Sequence, residues 1–413
     1  MSKKRKLSSE AYKGVRDFYP EDQALLRYFS TIQRGVVERF GYEEYHASIL
    51  EPTELYREKT SEEIFNEQMY TFTDRGGREV TLRPEMTPTV ARMIAKRRRE
   101  LGFPLRLYSI PNVFRYERPQ RGRLREHWQL NVDFFGSESL NADAEIIHVA
   151  HAIMSAFGAT ESDFTIQVSS RTFLNERAQK LNLSEDRLRA LRTHLDQRDK
   201  MTLQQFNEGI EAFGILPDSL FPDFPPKDVA EVLQLLEEQG IKNAIFAPHI
   251  VRGFDYYSGV VFEIFDTNPD NNRALFGGGR FDNLLELFDD EHIPAVGFGM
   301  GDVTLRDFLE TRGLLPPYLP TTQVYIAVPS LACIPQAQEL CNFLRSQGVN
   351  VAIDFGEKKL ADQIRTASKH AIPYLIVVGE TEISSGSFVI RDLRSGEEHT
   401  YTRQQLPAFF LMA

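Results

Sequence analysis

Residues 106–126 carry six arginines against two glutamates, and five of those arginines (Arg115, Arg118, Arg121, Arg123 and Arg125) crowd a turn between two strand-like runs, Leu105–Phe114 and Trp128–Phe135. A planar guanidinium gives two parallel charge-assisted hydrogen bonds, so several forks on one hairpin suit phosphate oxygens. Alone, such a loop describes an ordinary basic surface. A second segment accompanies it, His249-Ile250-Val251-Arg252-Gly253-Phe254-Asp255-Tyr256-Tyr257-Ser258-Gly259, which sets another arginine beside two tyrosines. The glycine run Gly277-Gly278-Gly279-Arg280 by itself reads as a tight turn. No Gly-x-x-x-x-Gly-Lys-Ser/Thr loop occurs, so a nucleotide has to be held in some other way.

The chain that positions these residues has 413 of them, enough for two or three domains, each with its own core. A hydrophobic content of 42% with 26% charged residues describes a soluble globular protein. The net charge of -11 argues against a protein that coats nucleic acid along its whole surface, and leaves room for local contacts such as Lys96-Arg97-Arg98-Arg99 or the arginine hairpin. The two cysteines, Cys333 and Cys341, are no disulfide framework and suit a reducing, cytoplasmic setting. The basic start Met1-Ser2-Lys3-Lys4-Arg5-Lys6 lacks the apolar run of a secretory signal, and no stretch is apolar enough to cross a membrane. His148 and His151 stand at i and i+3, but without carboxylates or cysteines at ligand spacing they do not make a metal site.

Apolar periodicity predicts a helix over residues 22–40 stopped by Gly41, and a second over Ala142–Phe157. Strands are expected at Ser48–Thr53, Val80–Glu85, Gly259–Phe265 and around Ala295–Phe298. Between about 170 and 243 the pattern turns helical, which marks an inserted module. Its last helix carries Val229, Val232, Leu233 and Leu236 and ends at Gly240. The proline-bearing stretch Gly313–Pro320 reads as a linker. Beyond it strand and helix alternate: Val324–Val328, Ile334–Arg345, Val349–Ile353, Leu360–Lys369 and Tyr374–Val378, a small α/β unit.

The arginine hairpin and the Arg252–Tyr257 segment together closely resemble the histidyl-tRNA synthetase family, a class II aminoacyl-tRNA synthetase family. The stretches Lys13–Phe18, Gly41-Tyr42 to Thr53, Leu82–Thr87 and Pro294–Gly301 also resemble it. The resemblance implies an α/β (α+β) architecture: an antiparallel-sheet catalytic core over residues 1–320 with the helical insertion at about 170–243, and an anticodon-binding α/β domain over 321–413. It implies a histidine–tRNA ligase that uses ATP with Mg2+ to activate L-histidine and then charges tRNA(His), working as a homodimer.

By the same resemblance Arg115 and Arg252 are the catalytic residues, both facing the α-phosphate. For Arg252 a structural ion pair with Asp255 is the alternative. Asp133 and Tyr257 address the imidazole, Tyr256 lines that pocket, and Glu85, Thr87 and Gln129 receive the α-amino group. Arg115 and Arg252 also touch the amino acid. Glu117 meets the adenine edge, Arg123 the outer phosphates and His127 the adenine face, over a floor formed by Gly277–Arg280 and Pro294–Gly301, including Gly299 and Gly301.

Three positions depart from the family pattern. Thr304 stands where an arginine ends the third class II motif, with Arg306 two residues on; His127 replaces the usual phenylalanine; and Asp133 replaces the usual glutamate. Two rival readings remain: an ATP phosphoribosyltransferase regulatory subunit, which shares the core and binds histidine without charging tRNA, and a class II synthetase for threonine or proline. Arg115, Arg123 and Arg252 together oppose the first. The Arg-Gly-Phe-Asp-Tyr-Tyr segment opposes the second.

Overall fold

A computed structural model describes residues 7–57, 64–196, 198, 201–216, 221, 223–250, 256–271, 273–288, 292–355 and 358–412. The chain forms two compact units. One comprises the described residues up to Asp17 together with Leu26–Leu315, and the other Phe18–Leu25 with the described residues from Pro316 onward.

The first unit is built on a nine-stranded sheet, counted among the described residues. Its six central strands are antiparallel in the order Leu105–Ser109, Glu126–Phe135, Ala295–Gly301, Ala274–Arg280, Val260–Asp266, Phe164–Ser170. Short parallel strands, Glu43–Glu44 and Ala244–Phe246, close the two edges, and Asn112–Phe114 pairs with the start of Glu126–Phe135. Alternation along the central pair gives the sheet two unlike faces. Leu130, Val132 and Phe134 lie opposite Met300, Phe298 and Val296, all buried. On the other face Gln129, Asn131 and Asp133 lie opposite Gly301, Gly299 and Gly297. The apolar face packs under the helix Leu140–Ala156, whose first turn is capped by the Ser139 hydroxyl accepting from Asn141 N.

One ion pair joins that helix to the sheet. Arg280, pointing to the same face as Val296, donates from Nε and Nη2 to the buried Asp143 carboxylate and from Nη1 to Ser137 O at 2.9 Å. The arginine after the glycine run is therefore a structural tie. The run itself is no tight turn: Gly277–Gly279 sit in mid-strand, held by pairing on both sides.

The helical region after Phe164–Ser170 divides by packing. Thr172–Lys180, Glu185–Asp196 and Leu203–Glu211 share a small core of Leu174, Leu191, Leu195, Phe206 and Ile210. The last helix, Lys227–Glu238, instead packs on Leu140–Ala156 and on the strands at the sheet edge. The expected Val229, Val232 and Leu236 stripe is its buried face, and Gly240 ends it at φ +85°.

The second unit holds a five-stranded sheet in the order Val351–Ile353, Val324–Ala327, Tyr374–Val377, Ser387–Asp392, Glu398–Thr402. The first three strands are parallel, as the alternation of strand and helix requires, and the last two form an antiparallel hairpin. That hairpin and the closing helix Leu406–Met412 lie beyond the elements expected from the sequence, and their Phe388, Ile390, Leu406 and Phe410 complete the core. Both cysteines are buried thiols in it.

Removing Arg280 leaves a carboxylate in a dry interior without its counter-charge, so Arg280→Ala is expected to destabilise the first unit by about 3–5 kcal/mol. The double change Arg280→Met with Asp143→Leu should recover most of that loss. Calorimetric unfolding of the three proteins checks both statements.

Candidate active site

The polar and glycine-bearing face of the central sheet opens into a cavity of about 750 Å³, within the ~300–1,000 Å³ usual for small-molecule sites. Its floor is flat because Gly277, Gly297 and Gly299 carry no side chains. A Cβ on Gly299 would overlap the Gln129 amide, and one on Gly297 would overlap Asp133 Oδ1 and stand 2.6 Å from Val132 O. Absence of side chains on one strand is thus what lets the polar side chains of its neighbour lie across it.

One end of the cavity is polar and close-fitting. Tyr256 donates its hydroxyl to Glu85 Oε2 at 3.0 Å, and Gln129 Nε2 donates to Asn131 Oδ1 at 2.7 Å. Glu85, Thr87, Gln129, Asn131, Tyr256 and Tyr257 all line this space. Asp133 lies one strand step beyond Asn131 on the same face, beside Gly297; Tyr257 lies against Gly279, the partner of Gly297 on the next strand. Asp133 and Tyr257 therefore flank one glycine pair from opposite sides. Asp133 is only 2% exposed, and burial, reinforced by the Glu85 charge, pushes its carboxyl up to about 8.

The other end is cationic. Arg115 is set by Nε donating to Pro84 O at 3.0 Å and by its own N–H donating to Arg125 O at 2.9 Å. Behind it Arg83, almost wholly buried, donates to Ala47 O, Ser48 O and Asn112 O, fixing the chain around Pro84. Arg125 is spent on structure: its guanidinium lies 3.7 Å from the Tyr116 ring centre and donates to Glu117 O and Tyr12 Oη. Arg123 stays on the cavity wall, with Nη1 3.5 Å from Glu117 Oε2. His127 is neutral: burial first and the Arg115 charge second push its imidazole down to about 3.

The structure thus gathers Glu85, Thr87, Arg115, Arg123, Gln129, Tyr256, Tyr257 and Gly299 around one cavity. Glu117 lines an adjoining pocket with Lys13, Arg118 and Arg123. His127 precedes Gln129 by two residues on the same strand face, 3.4 Å away through Nε2 and Oε1, and a Cβ on Gly301 would lie 3.6 Å from its ring. Arg252 and Asp255 lie outside the described residues. Thr304 faces the cavity and donates its hydroxyl to Leu275 O at 2.6 Å; Arg306 is not among the lining residues.

Asn131, Glu263 and Arg273 are among the lining residues that the motifs do not nominate. Asn131 was legible, two positions along a strand from Gln129. Glu263 and Arg273 were not, because only the pairing of Val260–Asp266 with Ala274–Arg280 brings them to this face. Arg273 Nη1 donates to Arg121 O at 3.1 Å, which joins the far wall to the arginine hairpin. A further contact, Arg16 Nη2 to Asp302 Oδ2 at 2.7 Å, supports the hairpin strand, since Asp302 Oδ1 accepts from Trp128 N.

Among the described residues no group of three or more His, Cys, Asp or Glu side chains could hold a metal. His148 instead meets Gln239 Oε1 at 2.7 Å, and His151 Nε2 lies 3.7 Å from Glu161. Glu263 is the acidic group across the floor from the arginines, and a single carboxylate suits a magnesium ion that is held chiefly by substrate phosphates. A hydrogen-bonding recess with one carboxylate, Glu85, joined to an arginine-lined trough fits a small zwitterion next to a polyphosphate.

Comparison with known proteins agrees with this geometry. Residues 14–214 and 225–303 match the histidyl-tRNA synthetase family profile, and residues 323–412 that of the anticodon binding domain. The chain is 40% identical to the histidine–tRNA ligase of Leptospira biflexa over 422 aligned positions, covering 97% of each, and 36% identical to that of Thermoplasma volcanium, covering 97% and 98%. In fold it is similar to the crystal structure of histidyl-tRNA synthetase from Nostoc sp. PCC 7120, with a TM-score of 0.82 over 98% of this chain and 100% of that one at 22% identity. The chain belongs to the histidyl-tRNA synthetase family.

Proposed function

We propose that this chain activates L-histidine with ATP, releasing pyrophosphate, and then transfers histidine from the adenylate to the 3′ end of tRNA(His). The observation that carries this is the cavity with two unlike ends, one hydrogen-bonding with the Glu85 carboxylate in it and Asp133 and Tyr257 beside it, the other cationic beside Arg115, Arg123 and Arg273. A regulator that only senses histidine requires the first end and has no use for the second.

Activation needs no protein nucleophile, because the histidine carboxylate attacks the α-phosphate in line and pyrophosphate leaves. The work of the protein is positioning and charge stabilisation. Glu85, with Thr87 and Gln129 beside it, receives the α-ammonium, and Tyr256 holds the Glu85 carboxylate in place. Asp133 and Tyr257 take the imidazole between them. Buried polar groups of this kind reject analogues that would leave them unpaired, by as much as ~10⁴-fold. Arg115, locked to Pro84 O, meets the α-phosphate, and Arg252 is assigned to the same charge. Glu117 and His127 address the adenine edge and face, over Gly299 and Gly301. His127 stacks as a neutral ring, since an imidazolium beside Arg115 would be disfavoured. Magnesium arriving with ATP would be held by Glu263 and the phosphates, and supplies neutralisation of the leaving group.

The outer phosphates are assigned to Arg123 and Arg273 in place of an arginine at position 304. Thr304 is too short to reach them and its hydroxyl is engaged with Leu275 O. The catalytic region is assigned to residues 1–320 and anticodon contacts to residues 321–413. The assembly is assigned as a homodimer and the compartment as the cytoplasm, in keeping with the two buried thiols.

Purified protein should exchange labelled pyrophosphate into ATP only when both histidine and magnesium are present. Histidine binding without exchange would favour the regulatory reading instead. Arg273→Ala should raise the ATP KM in this exchange roughly tenfold with little change in the histidine KM, as for loss of one charge-assisted contact. Arg306→Ala should leave both constants near their starting values, and the reverse pattern would move the outer-phosphate contact to the helix Asp302–Thr311.

Asp133→Asn should raise the histidine KM far more than the ATP KM, with Asp133→Glu better tolerated. The same position has a pH signature. Its folded-state carboxyl titrates above the unfolded value of 3.8, so its favourable contribution is complete below that value and is lost as pH rises through about 8. The thermal midpoint of the unmodified protein should therefore fall more steeply between pH 4 and pH 8 than that of Asp133→Asn, with the difference levelling off above pH 8.

A further inference from the structure

Three polar groups behind the histidine end of the cavity lack a well-placed partner. Asp133 Oδ2, Ser109 Oγ and Tyr45 Oη are each shut off from solvent and none makes a hydrogen bond of normal geometry, although the Tyr45 and Ser109 hydroxyls lie close enough to act on each other. Buried polar groups of native proteins are nearly always paired, so three orphans in one place call for an explanation. They do share one place. Ser109 lies opposite Asn131 on the neighbouring strand, on the same face as Asp133 and diagonal to it. Tyr45 is fixed to that strand by its N–H donating to Tyr108 O at 2.9 Å, and it packs against the core cluster that contains Phe135, as does Leu107, the strand partner of Asp133. After its burial, the Tyr45 hydroxyl is acted on most by the charge of Asp133 and then by the Ser109 hydroxyl as a hydrogen-bonding neighbour.

The surrounding groups cannot satisfy these atoms. Arg83 is committed to Ala47 O, Ser48 O and Asn112, and the Tyr56 hydroxyl to Thr89 Oγ1 at 3.0 Å and Glu85 O. What remains is a carboxyl oxygen without a partner and, on the strand next to it, two hydroxyls that have only each other to turn to. A hydroxyl turns about one bond, so a small shift of the carboxyl would close the set. The short aspartate leaves room for that shift, where a longer side chain would fill it.

We propose that Ser109 and Tyr45 are positioning residues for histidine selection: as the imidazole enters between Asp133 and Tyr257, their hydroxyls turn onto Asp133 Oδ2 and fix the carboxyl for the ring. The gain appears only for a side chain that engages Asp133. This rests on the assignment of the cavity end to histidine. An orphaned hydroxyl that does nothing else is a burden on stability, and its removal should help the protein.

The test uses the full-length chain with Tyr45→Phe, Ser109→Ala and Ser109→Thr. Pyrophosphate exchange gives KM for histidine and for ATP, and thermal unfolding is followed with and without histidine. Tyr45→Phe and Ser109→Ala should unfold at the same or a higher temperature without ligand. They should raise the histidine KM about fivefold each, as for loss of one neutral hydrogen bond, leave the ATP KM unchanged and shrink the histidine-induced thermal shift. Ser109→Thr, which keeps the hydroxyl, should stay close to the unmodified protein. Variants that keep the histidine KM and the full thermal shift would overturn the proposal, as would equal damage to both substrates. An unmodified protein with neither exchange nor a histidine-induced shift would overturn the histidine assignment itself, a result distinct from either.

Discussion

The site depends on a sheet face stripped of side chains. Antiparallel strands leave about 5 Å between neighbours, so a polar side chain can lie flat across the next strand only where that strand has no Cβ in the way. Gly297 and Gly299 meet this need for Asp133 and Gln129, and Gly277 and Gly279 extend the floor to the next strand. The cost is a stretch with weak intrinsic preference for extended structure. It is held by pairing on both sides and by the apolar reverse face, where Val132, Phe298 and Phe262 are buried and Arg280 is tied to the covering helix. The binding face is permissive because the opposite face is not.

Upon that floor the charges are divided by environment. At the imidazole end burial holds Asp133 largely protonated, and near the phosphate end burial and Arg115 hold His127 neutral. Carboxyl and imidazole are moved in opposite directions by the same cause, since desolvation penalises whichever form is charged. The fixed positive charge of the trough then comes from guanidinium groups, which do not lose their protons in proteins. Their roles are not equal. Arg125, Arg83 and Arg280 build the frame, whereas Arg115, Arg123 and Arg273 present their charge to the cavity.

Rigidity at the arginine hairpin has a local origin. Arg125 spans Tyr116, Tyr12 and Glu117 O, and Asp302 joins Arg16 to Trp128 N, so both arms of the turn are anchored to other elements. A loop of this composition without such anchors would repel itself. With them, Arg115 is placed by two hydrogen bonds to backbone carbonyls rather than by its chance conformation.

Much of this was legible without coordinates, because motif spacing constrains chemistry directly. The arginine hairpin, Glu85 and Thr87 after a strand, the paired Tyr256 and Tyr257, and the glycine-rich stretches identified the histidyl-tRNA synthetase family. The strand–helix alternation after Pro320 described the start of the second unit, because a parallel strand pair needs a crossover helix. Other features depend on pairing between distant segments and have no local signal. The glycine run reads as a turn in isolation and becomes a strand only when Val260–Asp266 and Ala295–Gly301 flank it. Arg273 and Glu263 reach the cavity through that same register. Which arginines bind and which only brace, and that Tyr45 and Ser109 stand behind Asp133, follow from partners far away in sequence. The sequence by itself determined the residue types available for the chemistry; tertiary structure decided their faces, their partners and their charge states, because register and burial are properties of the assembled sheet and of no single segment.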